Sequence, residues 1–403
     1  MVRPDTFTAV TANPTAVAYA VDRFDAGADA LAVSTDVRSR FPQLNPEVGS
    51  AVVSQARLRL RGRAKFGSLA DRLWFSADGV EQATHPTVAA HRTGRFSTFA
   101  RVADLGCGIG SDLYALAKAG CAVRGYERDP LTAAIARANL AALGLGADIV
   151  ERDVETLDPA QLPREFDAAF LDPARRHGGR RTFDVNAYSP PWSYALALLA
   201  ALPVAVKVAP GIPHEALPAG VEAEWVSLHG ELKECAVWSQ ALATRGVRHR
   251  ATVLPAGISL TAPSSGSGPD APVRAPGRYL YEPDPAVIRA RLVGTVAGLL
   301  GGGLLDATTA YISSDQAVAT PFARAFEITD AMPFSLKRLR AVLRERDVGA
   351  VTIMKRGSAV DVERLRRDLR LRGTRHQIVV LALVSGRREV LLVEPFAFAV
   401  NRD

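Results

Sequence analysis

The chain has 403 residues, of which 48% are hydrophobic and 23% are charged, so we expect two or three domains with full hydrophobic cores. The longest apolar run, at about 194–206, contains a proline and is too short to span a bilayer. The N-terminus lacks a compact apolar signal core, and the cysteines Cys107, Cys121 and Cys235 have neither disulfide-framework nor metal-ligand spacing. These features argue against secreted, membrane and zinc-finger proteins, and we expect a cytoplasmic protein.

The net charge of +7 is concentrated in one segment. Residues 331–376 contain 13 Lys or Arg against five Asp or Glu, a net charge of +8, so the rest of the chain is close to neutral. Within this segment, the helical pattern of Asp361–Arg372 has an apolar face and an arginine-rich face. A solvated helix surface and a surface that binds RNA phosphates are both consistent with this pattern. The basic residues that would form the RNA-binding surface are Lys355, Arg356, Arg366 and Arg367.

Apolar residues recur at helical spacing over Thr15–Ala32 and Val48–Leu60, which predicts a helical N-terminal region. From Arg101 onward, short apolar runs alternate with helical patterns, as is typical of βαβ units in a doubly wound parallel sheet. The predicted elements are strand Val102–Leu105, helix Ser111–Ala119, strand Ala122–Tyr126, helix Pro130–Leu143, and strands Ile149–Val150, Phe166–Leu171 and Val204–Val208.

The C-terminal half begins with three further apolar runs that predict a terminal antiparallel set of strands. A stretch rich in Pro, Ser and Gly, at 261–277, predicts a linker. Beyond it, an N-cap and proline pair at Asp284 predicts a helix that continues to about Leu300, and the remainder predicts an α+β domain. The antiparallel set is Glu224–Leu228, Cys235–Gln240 and Ala251–Leu254; the α+β elements are helices Ser335–Arg346 and Asp361–Arg372, the second capped by Gly373, and strands Val348–Met354, Gln377–Leu383 and Val390–Val393.

The strongest chemical signal is the glycine-rich turn between the first predicted strand and helix of the sheet. Asp104, Gly106, Gly108 and Gly110 form a D-x-G-x-G-x-G pattern, in which the glycines let the backbone turn sharply and approach a ligand closely. The nicotinamide-dinucleotide fingerprint requires a glycine where this chain has Ser111, so the pattern departs from that class of protein.

Acidic residues follow three further strands of the predicted sheet. Glu127 ends the second strand, 19 residues after Gly108, where a carboxylate can accept both hydroxyls of an adenosine ribose. Asp153 follows the third strand and Asp172 the fourth, and the carboxyl ends of parallel strands meet at one edge of a sheet. Because no Lys or Arg phosphate clamp accompanies these acids, the set favours a cofactor with a positive sulfonium over one with a phosphate.

With these residues in place, the segment from about Thr93 to Leu254 resembles the class I S-adenosylmethionine-dependent methyltransferases. The resemblance implies a Rossmann-like sheet and S-adenosylmethionine as the cofactor. It implies that the three glycines pass under the cofactor and that Asp104 orients its methionine end. It also implies that Glu127 holds the ribose and that Asp153 meets the adenine edge.

A closer resemblance covers most of the chain. Gly79–Thr84, Tyr279–Pro285 and Lys355–Gly357 are similar to motifs of bacterial methyltransferases with a THUMP-like C-terminal domain, a group similar to the RNA-cap guanosine N2-methyltransferase family. In such enzymes the last three residues of the first motif close over the amino-acid end of the cofactor. This implies that Thr84 binds the cofactor, and a cap on the next helix is the alternative role. The resulting domains are a helical N-terminal region (1–96), a methyltransferase domain (97–260), a linker (261–277) and a THUMP-like domain (278–403).

The motif after the fourth strand, Asp172–Arg175, reads Asp-Pro-Ala-Arg. It departs from the Asp/Asn-Pro-Pro-aromatic pattern of base N-methyltransferases, in which the aromatic side chain stacks on the target base. An aromatic residue in the following segment could take that stacking role, and the candidates are Phe183, Tyr188, Trp192 and Tyr194. The motif is also similar to that of uracil C5-methyltransferases, whose chemistry needs a cysteine nucleophile, but Cys235 has no evident activating base. We predict that Asp172 accepts a proton or hydrogen bond from the acceptor and that Arg175 holds a phosphate or base carbonyl.

These observations predict an S-adenosylmethionine-dependent methyltransferase that modifies a nucleobase in structured RNA, either tRNA or rRNA, without a metal or a membrane partner. The THUMP-like resemblance favours RNA, because THUMP domains are RNA-binding modules. Two alternatives remain at this stage: an enzyme that methylates a small molecule or a protein, and a catalytically degenerate protein that binds RNA without turnover.

Overall fold

The computed structural model describes residues 3–174, 176–177, 180–181, 187–263, 268, 270–356 and 360–398. The chain forms two compact units. Unit 1 comprises residues 1–222 and 234–244, and unit 2 comprises residues 223–233 and 245–403. The domain boundaries proposed from the sequence remain predictions.

The N-terminal part of unit 1 is a layer of packed helices. Asn45 caps the longest of them by accepting a hydrogen bond from Val48 N at 2.8 Å. This long helix packs on the three before it, and buried side chains such as Val52 and Phe75 form their shared core. The helices are α1 (Pro4–Thr11), α2 (Pro14–Asp25), α3 (Ala30–Arg40), α4 (Pro46–Phe66), α5 (Ala77–Gln82) and α6 (Pro86–Thr93).

The predicted helix Val48–Leu60 lies within α4, but the predicted helix Thr15–Ala32 is interrupted. Between α2 and α3, Gly27 has a φ of +87°, which ends the first helix. Asp29 then starts α3 by accepting two backbone N–H groups at 2.8 and 2.9 Å. The apolar spacing continues across this break, and for that reason the pattern alone did not reveal it.

The remainder of unit 1 contains a parallel sheet with helices between its strands. The strand order is β9-β7-β4-β1-β2-β3, in which β7, β4, β1, β2 and β3 are parallel and β9 is antiparallel to β7. This arrangement confirms the predicted Rossmann-like α/β fold. The elements are β1 (Arg101–Leu105), α7 (Ser111–Lys118), β2 (Ala122–Glu127), α8 (Pro130–Ala142), β3 (Asp148–Glu151), β4 (Ala168–Leu171), β5 (Arg176–His177), β6 (Arg180–Arg181), α9 (Trp192–Ala201), β7 (Val204–Val208) and β9 (Glu231–Trp238), which belongs to this unit from Glu234 onward. The strand β8 (Glu222–Leu228), which precedes β9 in the chain, belongs to unit 2 from Ala223 onward.

The prediction of an antiparallel terminal set is wrong for two of its strands. In unit 2, β10 (Val247–Leu254) pairs with β8 in parallel, and β11 (Ile258–Pro263) pairs with β10 antiparallel. Because β9 lies between them in the chain, two reversals of direction return β10 to the direction of β8. The strand β11 also extends into the predicted linker, of which residues 264–267 and 269 lie outside the described residues.

Unit 2 also contains a mixed seven-stranded sheet, with strand order β13-β14-β12-β15-β18-β17-β16. Only β16 and β17 pair in parallel among its described strands. Two helices cover part of the sheet, and buried residues such as Leu339, Leu365 and Val379 form the core. The elements are β12 (Tyr279–Pro283), α10 (Pro285–Arg289), α11 (Val293–Leu299), β13 (Gly303–Leu304), β14 (Ile312–Ser314), β15 (Ala323–Pro333), α12 (Leu336–Glu345), β16 (Val348–Lys355), α13 (Val362–Leu369), β17 (Arg375–Val384) and β18 (Arg387–Pro395).

Two helix predictions in this unit need correction. The helix expected from Asp284 to Leu300 is divided into α10 and α11, because Arg291 between them has a φ of +59°. Gly373 does not cap α13; Arg370 does, in the left-handed conformation with a φ of 49°. Gly373 has a different role, because a Cβ at this position would lie 2.1 Å from the backbone oxygen of Asp347. The glycine therefore allows a close approach of two backbone segments.

Candidate active site

A cavity of about 640 Å³ lies at the carboxyl ends of the parallel strands of unit 1. The loops after β1, β2, β3 and β4 line it, as the position of ligand sites in open α/β sheets predicts. The segment 76–84, which includes α5, forms a further wall. Lys65 holds this segment by donating to the backbone oxygens of Val80, Glu81 and Ala83 at 2.8, 2.8 and 2.9 Å.

The glycine-rich turn follows β1 and lines the cavity. Gly106, Gly108 and Gly110 have φ values of +88°, +55° and +88°, which favour glycine. A Cβ on Gly106 would lie 3.0 Å from the backbone oxygen of Asp172, so no larger residue fits there without movement. Both Gly106 N and Cys107 N donate to Tyr126 O at 3.0 Å. The turn is thereby fixed to β2, and the sequence prediction of a close backbone approach is consistent with this geometry.

Glu127 lies at the end of β2, and its carboxylate faces the glycine-rich turn. It accepts hydrogen bonds from Gly108 N at 3.1 Å and from Asp129 N at 2.9 Å. Burial raises the pKa of this carboxyl group. Asp153, after β3, also lines the cavity, but one of its oxygens accepts from Glu155 N at 3.0 Å. Both acids therefore have local structural contacts, and their roles toward ribose and adenine remain predictions.

A run of hydrogen-bonded acidic and basic side chains, joined by one threonine, lies largely buried beside the cavity. Arg92 donates to both oxygens of Glu234 and, through its other terminal nitrogen, to Asp112. Asp112 accepts from the Thr84 hydroxyl at 2.6 Å, and Lys207 Nζ donates to Thr84 Oγ1 at 3.0 Å. We call the whole run the buried ionic chain; in order it comprises Glu234, Arg92, Asp112, Thr84, Lys207 and Asp172, whose Oδ2 lies 2.6 Å from Lys207 Nζ.

Charge pairing stabilises the ionised forms within this chain. Burial acts to lower the pKa of Arg92, but the carboxylates of Glu234 and Asp112 outweigh it and raise the pKa. Burial acts to raise the pKa of Asp112, but Arg92 and Lys207 outweigh it and lower the pKa. Such pairing is required, because an unpaired buried charge is strongly destabilising.

Asp104, on β1, differs from these paired acids. It is fully buried, and neither carboxylate oxygen has a hydrogen-bond partner within the described part of the chain. Burial, and then the nearby charges of Asp112 and Asp172, raise its pKa well above the usual value. An unpartnered buried carboxyl group close to the ligand cavity indicates a place for a cationic group.

Thr84 does not cap the next helix, so that alternative is wrong. His85 is the N-cap of α6 and accepts from Thr87 N at 3.2 Å. The Thr84 hydroxyl instead joins Asp112 to Lys207 within the buried ionic chain. Its contribution to cofactor binding remains a prediction.

Sequence reasoning missed Arg92, Asp112, Lys207 and Glu234. The sequence pattern predicts no Lys or Arg phosphate clamp beside the acids, and this prediction did not anticipate that Lys207 lines the cavity. A signal did exist for this residue: it is the single charged residue in the apolar strand Val204–Val208, all of which is buried. A buried lysine needs a partner, and that requirement points to the acids at the ends of the neighbouring strands.

Two other predicted site residues in unit 1 have different outcomes. Arg175 lies outside the described residues, so its predicted role has no structural counterpart here. Trp192 is buried at the start of α9 and is not among the described residues that line the cavity. Cys107 is also among the residues that line the cavity, but burial raises the pKa of its thiol well above the usual value, which opposes a nucleophilic role.

The four basic residues predicted for RNA binding lie in unit 2. Arg366 is exposed on α13, where it pairs with Glu363 at 2.8 Å, and Arg367 is exposed beside it. Lys355 is also exposed, although its Nζ donates to a backbone oxygen at 3.0 Å. Arg356 differs from the other three, because it is partly buried and pairs with Glu282 at 3.3 Å. It is therefore less available for phosphate than the sequence suggested.

Two further features are absent from the described residues. They contain no helix that has both the length and the apolar character needed to cross a membrane. They also contain no group of three or more His, Cys, Asp or Glu side chains placed to hold a metal ion.

The parallel sheet, the glycine-rich turn and the acidic cavity define a methyltransferase fold of the Rossmann-like class. Residues 102–178 match the family model described as a methyltransferase domain, and residues 323–395 match the one described as THUMP domain-like. A putative methyltransferase from Porphyromonas gingivalis W83 has a similar structure, with a TM-score of 0.76 and 24% identity. The similarity covers 96% of this chain and 98% of that chain, and it shows that the fold is shared.

The chain belongs to the S-adenosylmethionine-dependent methyltransferases. It is 37% identical over 358 residues to an uncharacterized S-adenosylmethionine-dependent methyltransferase of Mycobacterium tuberculosis, found in strains CDC 1551 and H37Rv. The match covers 87% of this chain and 96% of each relative. S-adenosylmethionine is accordingly the cofactor, and its cationic groups fit a cavity that is lined by acids such as Asp112 and Asp172, with the unpartnered Asp104 carboxyl buried near both.

Proposed function

We propose that this methyltransferase modifies a nucleobase in structured RNA, either tRNA or rRNA. The observation that supports RNA most directly is the THUMP domain-like match at residues 323–395, since THUMP domains bind RNA. The net charge of +8 over residues 331–376 supports the same conclusion. Such a substrate would place the enzyme in the cytoplasm.

The basic surface of unit 2 gives the proposal a physical basis. In α13, Leu365 and Leu369 are buried against the sheet, which leaves Arg364, Arg366 and Arg367 exposed on the opposite side. Exposed arginines bind phosphate oxygens through several N–H groups at once. Their contribution to affinity should fall steeply as the salt concentration rises.

In unit 1, the proposed catalytic group is Asp172. When bound, the cofactor supplies a methyl group on a positive sulfonium. Lys207 Nζ donates a hydrogen bond to Asp172 Oδ2 at 2.6 Å and so fixes the orientation of this carboxylate at the cavity. The carboxylate can then accept a hydrogen bond or a proton from an N–H group of the nucleobase that is methylated. Positioning of the two reactants then supplies much of the rate. We propose that Arg175, beside it in sequence, holds a phosphate or a base carbonyl.

The remaining predicted residues complete the proposed cofactor site. Glu127 would bind the ribose and Asp153 the adenine edge, while Asp104 and Thr84 would meet the methionine end. All but Asp104 line the cavity, and Asp104 lies buried within electrostatic reach of Asp172. The buried position of Trp192 gives no support to base stacking by this residue.

The test uses the full-length protein, S-adenosylmethionine with a labelled methyl group, and bulk tRNA and rRNA from cells that lack the gene. We expect label in one RNA class, and mass spectrometry of its nucleosides identifies the methylated base. Label in small molecules or proteins, and not in RNA, would support instead an enzyme that methylates a small molecule or a protein. Cofactor binding without transfer to any cellular RNA would indicate a degenerate RNA-binding protein.

A matched pair of variants tests the basic surface. The double charge reversal Arg366→Glu with Arg367→Glu should weaken RNA binding at low salt and reduce the slope of affinity against salt concentration. The control is Arg387→Glu with Arg388→Glu, which makes the same change of charge at exposed positions of the β17–β18 hairpin. Equal losses in the two variants would show a general charge effect and not a defined RNA surface.

A further inference from the structure

Lys207 occupies an unusual position for a lysine. It lies within β7, whose five residues are all buried, and only 6% of its side chain is exposed. Its ammonium group donates to Thr84 Oγ1 at 3.0 Å and to Asp172 Oδ2 at 2.6 Å. An ammonium group has three N–H donors, so these two contacts leave one donor over among the described residues. The same side chain lines the cavity.

The charges around this lysine limit what can bind beside it. Asp172 and Asp112 line the cavity, and Asp104 lies within electrostatic reach of both. Such a set attracts the sulfonium and the α-ammonium of S-adenosylmethionine but repels its α-carboxylate. The carboxylate therefore requires a cation at this end of the cavity, because an unpaired charge cannot be buried at low cost.

Among the described residues, Lys207 is the basic group best placed to supply that cation. The guanidinium of Arg92 is committed to Glu234 and Asp112 and does not line the cavity. Arg128 does line it, but its side chain is 57% exposed and pairs with Asp153 at 3.6 Å, on the side that we assign to adenosine.

We propose that Lys207 binds the α-carboxylate of the cofactor through its remaining N–H. Thr84 orients the ammonium group for this contact, and Asp172 offsets its charge when the cofactor is absent. Lys207 thus joins cofactor recognition to the proposed catalytic carboxylate. This inference rests on the cofactor and on the assignment of the methionine end, and it does not depend on RNA as the acceptor.

Calorimetry with two ligands that differ only in the carboxylate tests the proposal. S-adenosylhomocysteine has the carboxylate, and S-adenosyl-3-thiopropylamine is the same molecule without it. In the wild type, we expect the second ligand to bind about 10- to 100-fold more weakly, as for the loss of a hydrogen bond between charged groups. Equal affinities would overturn the proposal without the need for any variant.

Variants then identify the residue responsible. Lys207→Met should weaken binding of S-adenosylhomocysteine by a similar factor and leave binding of the thiopropylamine analogue nearly unchanged, while Lys207→Arg should recover part of the loss. The control, Lys118→Met, removes an exposed lysine of α7 and should change neither affinity. The proposal is wrong if Lys207→Met weakens the binding of both ligands equally. It is also wrong if the variant changes neither affinity and lowers only the rate of methyl transfer, because the lysine would then only position Asp172. A failure to methylate RNA would leave these affinities unaffected.

Discussion

The side-chain amide of Asn139 donates a hydrogen bond to the backbone oxygen of Ile109 at 2.9 Å and so joins α8 to the glycine-rich turn. The same amide donates to Trp74 O at 3.1 Å and accepts from Trp74 N at 2.7 Å. One buried side chain therefore connects the N-terminal helical layer, the sheet domain and the glycine-rich turn.

Asn139→Ala should destabilise the protein by about 3 kcal/mol, because it leaves three buried backbone groups without partners. Urea denaturation should show a lower midpoint for the variant. The control is Asn13→Ala, which removes an amide that donates to Ala9 O at the end of α1. A loss of less than about 1 kcal/mol for Asn139→Ala would show that water replaces these contacts.

Gly106→Ala should abolish measurable cofactor binding. The new Cβ would meet Asp172 O at 3.0 Å, and the backbone would be strained at a φ of +88°. Gly144→Ala is the matched control, because Gly144 has a φ of +73° but open space around its Cβ position. Both variants should lose about 1 kcal/mol of stability from strain, and only the first should lose S-adenosylhomocysteine binding in calorimetry. Retained binding in Gly106→Ala would show that the turn can shift.

Glu127→Ala should weaken the binding of S-adenosylhomocysteine at least about tenfold. The substitution removes both the group predicted to bind the ribose and the hydrogen-bond acceptor for Gly108 N. Glu151→Ala provides the comparison, since Glu151 is paired with Glu127 in the register of β2 and β3 but does not line the cavity. Equilibrium dialysis of both variants gives the ratio. Similar affinities in the two variants would show that Glu127 does not bind the cofactor.

Asp104 predicts a pH dependence of stability in the absence of cofactor. Because its pKa is raised in the folded state, the unfolded chain releases this proton first as the pH rises above the ordinary value of 3.8, and stability is lost over that interval. Asp104→Asn should therefore flatten the loss of stability that begins as the pH rises above the ordinary carboxyl pKa of 3.8, measured by urea midpoints. The same variant should bind S-adenosylmethionine more weakly.

Asp167 supplies the control of opposite sign. The hydrogen bond from Arg101 lowers the pKa of Asp167, so its contribution is present above the ordinary value and is lost as the pH falls. Asp167→Asn should leave the neutral-to-alkaline part of the profile unchanged. If Asp104→Asn does the same, the buried carboxyl group has no role in the pH dependence.

The sequence predicted the sheet and its ligand edge well, because strand-helix alternation and the D-x-G-x-G-x-G turn are local signals. It did not predict the direction of β10 relative to β8, which depends on pairing between distant segments. The break before Asp29 was also missed, since apolar spacing continued across it. Gly373 was interpreted as a helix cap. A glycine is needed there because the backbone of Asp347 approaches it closely, and Asp347 is distant in sequence, so no local pattern indicated this contact.

The residues of the candidate site were predicted only in part, because local patterns in the sequence reveal some of them and not others. Glu127, Asp153 and Asp172 each follow a strand, so their position at one edge could be derived from local patterns. Arg92 and Lys207 could not be found in that way, because their partners come from several elements and only the folded chain brings them together. A lysine in an apolar strand was the one local indication.

The contacts of Lys65 have a consequence for engineering the enzyme. Three backbone oxygens of segment 76–84 accept hydrogen bonds from this lysine of α4, and the segment is a wall of the cavity at the candidate active site. A fragment that starts at β1 would retain the whole parallel sheet but lose this wall together with Thr84. The minimal excisable catalytic module therefore begins upstream of α4, and transplanting the Rossmann-like core alone into another protein would transfer the scaffold without the complete binding site.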